Sequence, residues 1–469
     1  MSLDALSDEL LLNIAEFVNI NDHRYLYKYD YDQGWRFLAK LALCSRRLNR
    51  IATSILYRTF KQTGEKEGEK RLPTFLHLLK EKPELGACVK SFVASEISED
   101  DENMNMKGFS RQDVGRCGLG PDAVGFMESK KPNWLDELEA GNWRAIIAFL
   151  LLLLPALEEV DLTRSSCYPE SGYIDAAVAY AARQQLKTGS QHSLRHLRTV
   201  WMDYWDAEWG MSINFLLPFC ALPSVTAARI NRAFDYDFHV SPRPRQYHIS
   251  DLHISHSNVG PEAIGPILHC FPSLKILHYG NGGSNVGYED FLPQYLGRAI
   301  SHLHETLEEL TVLSYENRTY DDEEAGPIGL LTDFKKLKRI TTYYDCLLKP
   351  DPGDGAIERL TDILPSSLEA LALSQCNPDI LEQVHDLLGQ YALGRNFLSL
   401  KEIALALNQN VDFPWIYKGQ EHLSTEEKEL MAEGNALGIT IKIIHPLVSW
   451  MGGSDFGHYK EFDWTQFDL

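Results

Sequence analysis

The sequence predicts an α/β fold in which helix–strand units repeat along most of the chain, behind a small helical unit at the N-terminus. An apolar spacing, L-x-x-L-x-L, recurs at intervals of 24 to 40 residues. Between the recurrences lie segments with apolar residues at spacings of three and four. The first pattern is typical of short buried strands and the second of amphipathic helices. The first sixty residues have a different, purely helical character.

Bulk composition limits the classes of partner. The chain has 469 residues, 44% apolar and 24% charged, which is enough for a core and too long for one ordinary domain. Its formal charge of −21 argues against nucleic acid and membrane as partners. The N-terminus carries Asp4, Asp8 and Glu9 where a signal peptide has cations. The eight cysteines form no C-x-x-C pair, so we expect reduced thiols and a cytoplasmic or nuclear protein.

The longest apolar run, from Ala145 to Leu154, predicts a buried helix and not a membrane span. It has ten residues, whereas a spanning helix needs about 20. Pro155 ends the helix, because the residue before a proline is pushed out of the α region. The segment L-E-E-V-D-L, which begins at Leu157, then predicts a strand.

This strand spacing occurs nine times. The windows begin at Leu157, Leu197, Val225, Ile249, Leu274, Leu307, Leu337, Leu368 and Leu400. Two further candidates, at Val89 and Ile439, are expected to be end units. Helices are predicted between windows at 172–186, 261–270, 292–304 and 355–364. Each unit is therefore a helix, a stop and a short strand.

These units resemble leucine-rich repeats, which run about 20–29 residues and carry L-x-x-L-x-L-x-x-N/C. The segments L-E-A-L-A-L-S-Q-C (Leu368 to Cys376) and L-K-E-I-A-L-A-L-N (Leu400 to Asn408) complete that motif, and the other units are longer and lack its last residue. The resemblance implies a leucine-rich-repeat solenoid over 74–445, with a long loop near 95–131. A doubly wound α/β domain is the alternative, although no Gly-rich phosphate loop is present.

Three short helices are predicted in the first sixty residues. They lie at 6–18, 37–52 and 54–58. Ser7 can cap the first, and acidic residues follow it at the positive end of the helix dipole. Leu10, Ile14, Phe17 and Val18 share one face of that helix. So small a bundle cannot enclose all its large apolar side chains, so some are expected to face a partner.

The segments L-S-D-E-L-L-L-N-I-A-E-F, L-A-K-L-A-L-C-S-R-R-L-N-R-I-A and I-L-Y-R resemble, in that order, an F-box, the three-helix module that binds a Skp-type adaptor. Ser7 stands where the family usually has proline, and the segment 19–36 is longer than the family's turn. The resemblance implies an F-box at 1–60 and a charged linker at 61–73. The adaptor-binding residues would be Leu6, Leu10, Leu11, Ile14, Phe17, Leu38, Leu41, Leu48 and Leu56.

Target recognition is expected on the strands. Side chains at the third, fifth and seventh places of each window point away from the buried apolar places and line the concave face of an array. The candidates are Asp161, Trp201, Asp203, Arg229, His253, His278, Thr311, Arg339 and Tyr343. Trp201 and Tyr343 are expected to be aromatic anchors. The aromatic tail 446–469 is expected to cover the open end of the array or to bind a partner.

No catalytic motif is recognised, and no histidine set has metal-ligand spacing, so neither a cofactor nor a metal is expected. The combination of F-box and repeats implies a non-enzymatic substrate receptor of an SCF-type (Skp–cullin–F-box) cullin-RING ubiquitin ligase, with an unknown target protein. Two alternatives stay open: a scaffold that binds the adaptor without directing degradation, and an α/β enzyme whose strands mimic repeats.

Overall fold

A computed structural model describes twelve stretches of the chain: 6–18, 34–62, 70–96, 104–165, 172–187, 193–206, 209–235, 246–282, 292–314, 326–348, 359–407 and 423–444. The chain divides into two compact units. Unit 1 is Met1–Phe238 with Tyr247–Ile249, and unit 2 is His239–Gln246 with Ser250–Leu469. The tail at 446–469 lies outside the described residues, so its role stays a prediction.

Unit 1 begins with three short helices. They are α1 (Asp8–Val18), α2 (Gly34–Cys44) and α3 (Arg46–Leu56). Ser7 caps α1 as predicted, because the Leu10 N–H donates to the Ser7 Oγ at 3.3 Å. Ser45 caps α3 in the same way, accepting from the Leu48 N–H at 3.2 Å. The three helices enclose an apolar cluster of Leu11, Ala15, Leu38, Leu48, Ile51 and Ile55.

The strands of unit 1 follow. They are β1 (Thr59–Gln62), β2 (Ser91–Ser95), β3 (Glu159–Arg164), β4 (Thr199–Tyr204), β5 (Met211–Ser212), β6 (Ala227–Asn231) and β7 (Ala233–Phe234). Neighbours run in the order β1-β2-β3-β4-β6, and all of these pairs are parallel. The short strands β5 and β7 form a separate parallel pair. Strand β1 and the start of the next helix occupy both ends of the predicted linker at 61–73.

Helices connect the strands of unit 1. They are α4 (Arg71–Glu81), α5 (Asp113–Arg116), α6 (Pro121–Lys130), α7 (Trp134–Ala140), α8 (Trp143–Leu153), α9 (Tyr173–Gln185) and α10 (Leu217–Cys220), with 3₁₀ turns at Pro83–Cys88 and Ile213–Phe215. The predicted buried helix before Pro155 is α8, which ends at Leu153. In the described part of the chain no helix is long and apolar enough to cross a membrane.

The long loop predicted near 95–131 needs correction. Residues 104–131 include α5 and α6, and Met104, Phe109 and Met127 are buried. Asp113 is buried as well, and its carboxylate contacts Lys80 Nζ at 3.1 Å. The acidic run at 99–102 suggested a solvated loop, but the apolar residues that follow it belong to the core of unit 1.

Unit 2 has seven strands among its described residues. They are β8 (Asp251–Ser257), β9 (Ile276–Asn281), β10 (Glu309–Ser314), β11 (Arg339–Tyr343), β12 (Ala370–Cys376), β13 (Glu402–Leu407) and β14 (Thr440–Ile444). They neighbour one another in chain order and are parallel. The helices are α11 (Pro261–His269), α12 (Pro293–Ile300), α13 (Tyr344–Leu347), α14 (Leu360–Ile363), α15 (Ile380–Ala392) and α16 (Thr425–Ala436), with a 3₁₀ turn at Ser301–Leu303.

The motif positions explain the register of the strands. All nine predicted windows, and both end candidates, contain a strand. In β3, burial alternates residue by residue, and Val160 and Leu162 are buried at the fourth and sixth places of the window. In unit 2, Leu310 lies opposite Leu277 on one side and Ile340 on the other, which are the same motif place in each strand. The apolar motif therefore builds one face of each sheet into the core.

Charges alternate in sign at the second motif place in unit 2. Lys275 Nζ lies 3.2 Å from the Glu308 carboxylate. Further along the chain, Lys338 Nζ lies 3.1 Å from Glu369, which also accepts a hydrogen bond from Lys401. Both lysines lower the pKa of Glu369 by hydrogen bonding. Each of these residues lies immediately before the first residue of its strand. Opposite charges therefore face each other at the starts of neighbouring strands.

We predict that Leu150→Ala strongly destabilises the chain, because Leu150 in α8 is 0% exposed. Large-to-small changes at such positions cost about 2–5 kcal/mol of unfolding free energy. Leu186→Ala is the matched control, since that leucine is 79% exposed, and it should leave stability unchanged. Urea unfolding followed by circular dichroism measures both, and equal midpoints for the two variants would contradict the burial of α8.

Candidate protein-interaction surfaces

An apolar strip lies on the outer face of α1. It consists of Leu10, Ile14 and Phe17, which are 50%, 42% and 75% exposed. Their spacing of four and three residues places them on one side of the helix. Leu11 and Ala15, on another side of the helix, are buried in the bundle core. The strip is therefore a contiguous apolar surface that the bundle itself does not cover, a feature typical of interfaces.

Ion pairs hold α1 against α3 with the strip outward. Arg47 Nε donates to Asp8 Oδ1 at 2.6 Å, and Arg50 also pairs with Asp8. The hydrogen bond from Arg47 lowers the pKa of Asp8. At the other end of α1, Arg58 Nη1 lies 2.8 Å from the Glu16 carboxylate. These contacts orient the helix, although exposed pairs add little stability.

Helix α2 adds exposed apolar residues that were not among the predicted adaptor-binding residues. Trp35, Phe37 and Leu43 are all exposed, whereas Leu38 between them is buried. The signal was present in the sequence, since G-W-R-F-L-A-K-L-A-L-C carries large apolar residues around most of its circumference. One buried side of a short helix cannot accommodate them all.

The predicted adaptor-binding residues fall into three groups. Leu10, Ile14 and Phe17 form the strip, and Leu6, Leu41 and Leu56 are partly buried against the bundle core. Leu11, Leu38 and Leu48 lie inside that core. The last group corrects the prediction: the small core of the three helices is filled by these leucines and their neighbours, so they are not available at the surface.

A row of side chains crosses the outer face of the unit 1 sheet. Parallel pairing places Lys61, Val93, Asp161, Trp201 and Arg229 opposite one another on successive strands. We call these residues the unit 1 row. Three of the predicted target-binding residues, Asp161, Trp201 and Arg229, are thus brought together. Lys61 was not predicted at the site, because the charged, glycine-containing segment that begins with it is typical of a linker.

The aromatic member of the row is covered by a cation. The Arg229 guanidinium carbon lies 4.5 Å from the centre of the Trp201 ring, which is a cation–π contact. The buried Trp201 indole N–H has no hydrogen-bond acceptor among the described residues. The isolation of such a buried donor costs the folded state about 1–3 kcal/mol.

Asp161 lies in an unfavourable electrostatic environment. Burial raises its pKa to about 6, the carboxylates of Asp203 and Glu159 add to the effect, and Lys61 opposes it. Asp203 itself accepts hydrogen bonds from Asn231 Nδ2 at 2.8 Å and Arg232 Nη1 at 3.0 Å. Asp203 is therefore compensated within the fold, whereas Asp161 is close to its protonation threshold at neutral pH.

Unit 2 carries a second set of predicted residues on its sheet. The His253 and His278 rings stack with centroids 5.1 Å apart, and His253 Nε2 lies 2.8 Å from Asp251 Oδ1. Thr311 lies opposite His278 on the next strand. Arg339, one strand further, forms an ion pair with Glu309. These side chains form a polar surface with few large apolar groups.

Tyr343 is not a surface anchor, which corrects the prediction. It is 3% exposed. It ends β11 and is followed directly by α13, whose first residue Tyr344 is also buried. Side chains alternate between the two faces only within a strand, so the alternation does not determine the direction of a side chain at the point where a helix begins. The tyrosine therefore belongs to the interior of unit 2.

Three ionisable groups with little solvent exposure, Glu96, Cys117 and Cys346, are either hydrogen-bonded within the fold or uncharged. In unit 1, Glu96 accepts from Arg144 Nε at 2.7 Å and from the Ser165 N–H at 3.0 Å. Burial raises the pKa of Cys117 to about 11 and of Cys346 to about 12, so both thiols are protonated at neutral pH. Within the described residues, no group of three or more His, Cys, Asp or Glu side chains could hold a metal ion.

The chain matches no protein-family model, and no curated protein matches its sequence.

We predict that Asp161→Asn stabilises the chain above pH 7 and has no effect near pH 4. A folded pKa of about 6 against an ordinary 3.8 means that ionisation costs the folded state stability. The cost is complete above pH 6 and vanishes as the pH falls toward 4. At about 1.4 kcal/mol per pKa unit, asparagine should add about 2–3 kcal/mol at pH 7.5.

The measurement is urea unfolding of both proteins between pH 4 and pH 8. Asp203→Asn is the control, because it weakens the bonds from Asn231 and Arg232 and should destabilise the chain at pH 7.5. A difference between Asp161→Asn and the parent that does not change with pH would show that Asp161 is ordinarily ionised.

Proposed function

We propose that this chain is the substrate-recognition subunit of an SCF-type ubiquitin ligase. Its N-terminal helices would be an F-box that binds a Skp-type adaptor, and its helix–strand units a leucine-rich-repeat array that binds a target protein. The observation that carries the proposal is the apolar strip of Leu10, Ile14 and Phe17 on a bundle whose sequence order resembles the F-box. A strip of this kind is typical of a surface that binds a protein partner.

The arrangement of strands supports the array over a doubly wound domain. In a doubly wound sheet the strand order reverses at a switch point, beside which the ligand binds. In each unit the main-sheet strands instead neighbour one another in chain order. Equivalent motif places also stack between neighbours, as Leu277, Leu310 and Ile340 do. Stacking of successive units is the organising feature of repeat proteins.

The proposed mechanism is proximity. The strip would bind the adaptor by burying apolar side chains, each worth about 1.5–3 kcal/mol when fully buried. The sheet faces would hold the target, and the attached ligase would transfer ubiquitin to it. Bringing the two reactants together raises their effective concentration without any chemical step by this chain.

The unit 1 row is the better candidate for the target contact. It combines a large aromatic side chain with a stacked arginine, and Trp and Arg are enriched among residues that dominate binding energy. The unit 2 surface around His253 and His278 offers polar contacts with less apolar area. We expect the row to provide affinity and the histidine surface to contribute specificity.

We predict that the double variant Leu10→Asp/Ile14→Asp loses adaptor binding and stays folded. Both side chains are exposed, so the carboxylates cost little in the free protein, but desolvating them in an interface is expensive. A loss of at least a hundredfold in affinity for a purified Skp-type adaptor is expected by titration calorimetry. Circular dichroism reports the fold.

The double variant Leu393→Asp/Leu398→Asp is the matched control, because it places the same charges at two exposed leucines of unit 2. It should bind the adaptor like the parent. Unchanged affinity of the folded Leu10→Asp/Ile14→Asp protein would reject the strip as the adaptor site.

We further predict that cells expressing the parent chain co-purify a cullin with it and that bound target proteins accumulate under proteasome inhibition. Trp201→Ala should reduce the bound targets and leave the cullin, because the row and the strip are separate surfaces. Quantitative mass spectrometry of both captures measures this. Cullin binding without any accumulating target would favour the scaffold interpretation.

A further inference from the structure

Strand β1 is the terminal strand of the unit 1 sheet. It pairs with β2 on one side, and no described strand pairs with its other side. The Arg58 carbonyl accepts from the main-chain N–H groups of Lys90 and Ser91, so it faces β2. The main-chain N–H and C=O groups of successive residues point to opposite sides of a strand. The N–H and C=O groups of Thr59 and Lys61 therefore point to the open side. An open edge of this kind is a template for a further strand.

A cleft of about 420 Å³ lies at this open edge, between the end of α3, β1 and α4. Its lining includes Phe60, Phe75 and Leu78. The Phe60 and Phe75 rings stack with centroids 4.5 Å apart and form an apolar floor. Phe60 and Leu78 are only partly buried, so an apolar side chain could bury area against them.

The rim of the cleft is cationic. Lys61, Lys70 and Arg71 line it, and all three are exposed. Among the described residues that line the cleft, none is a carboxylate. This is unusual in a chain with 66 acidic and 45 basic residues. Arg71 Nη1 also donates to the Lys61 carbonyl at 3.3 Å, so one rim cation already contacts the strand edge.

We propose that this cleft binds an extended, acidic peptide segment of a partner protein, which adds to β1 as a further strand. Main-chain hydrogen bonds to the edge would give affinity, as in other cases of strand addition. An apolar side chain of the segment would occupy the floor, and flanking carboxylates would meet the rim cations. Arg71 would exchange the Lys61 carbonyl for a carboxylate, which forms a stronger, charge-assisted bond.

No residue of the apolar strip lines the cleft, so this inference does not rest on adaptor binding, although Lys61 belongs both to the cleft rim and to the unit 1 row. The Leu10→Asp/Ile14→Asp protein should bind the acidic segment as the parent does. Failure of one proposal therefore leaves the other standing.

The test uses the full chain and a fluorescein-labelled synthetic peptide of about seven residues, a usual strand length, in which glutamate alternates with phenylalanine and valine. Fluorescence polarisation should show saturable binding, and a peptide with lysine for glutamate should not bind. The variant Lys70→Glu/Arg71→Glu should weaken binding at least tenfold. Hydrogen exchange of the segment 57–62 should slow when the peptide is bound, because strand addition protects the edge.

The matched control is Lys335→Glu/Lys336→Glu, which makes the same change in net charge at exposed lysines of unit 2 and should bind like the parent. Equal binding by the parent and the Lys70→Glu/Arg71→Glu protein would overturn the proposal. So would binding without slower exchange at 57–62. Binding that appears only after Glu65, Glu67 and Glu69 are changed to glutamine would assign the cleft to the chain's own segment and overturn the partner assignment.

Discussion

Burial of the fourth and sixth motif places is the constraint on which both units depend. Parallel pairing sets like places opposite each other, so Leu277, Leu310 and Ile340 form one continuous apolar layer in unit 2. Successive side chains of a strand point to opposite faces, so burying these residues sends the odd places to the other face. The unit 1 row and the stacked histidines are thus consequences of core packing, which also fixes their spacing across the strands.

The helical bundle of unit 1 illustrates the opposite situation. Its core consists of Leu11, Leu38 and Leu48 with Ala15, Ile51 and Ile55, and large side chains such as Phe17 and Leu43 stay exposed. Burial of Leu11 and Ala15 decides which side of α1 is left outside, and the ion pairs of Asp8 with Arg47 and Arg50 accompany that orientation. An interaction surface arises here because the unit is too small to bury its own apolar residues.

The spacing of apolar residues predicted helices and strands well where a segment had one clear hydrophobic periodicity. The strand windows, the helix before Pro155 and the cap at Ser7 all follow from spacings within a few residues. Features that depend on distant neighbours could not be predicted. The pKa of Asp161 is set by burial and by Asp203 on the adjacent strand. Tyr343 is buried at the end of a strand that a helix follows directly. Met104 and Phe109 are also buried, although the sequence around them has no hydrophobic periodicity that predicts burial.

The charge at the second motif place alternates in sign along unit 2, so the same sign returns every second helix–strand unit. Lys275, Glu308, Lys338, Glu369 and Lys401 follow one another at intervals of about one helix–strand unit. Loss of a single internal unit would set lysine beside lysine or glutamate beside glutamate, whereas loss of two adjacent units would restore opposite signs. Like charges on neighbouring strands destabilise a sheet. Unit 2 should therefore tolerate the gain or loss of units in pairs better than singly, a parity rule for how such a chain can lengthen or shorten.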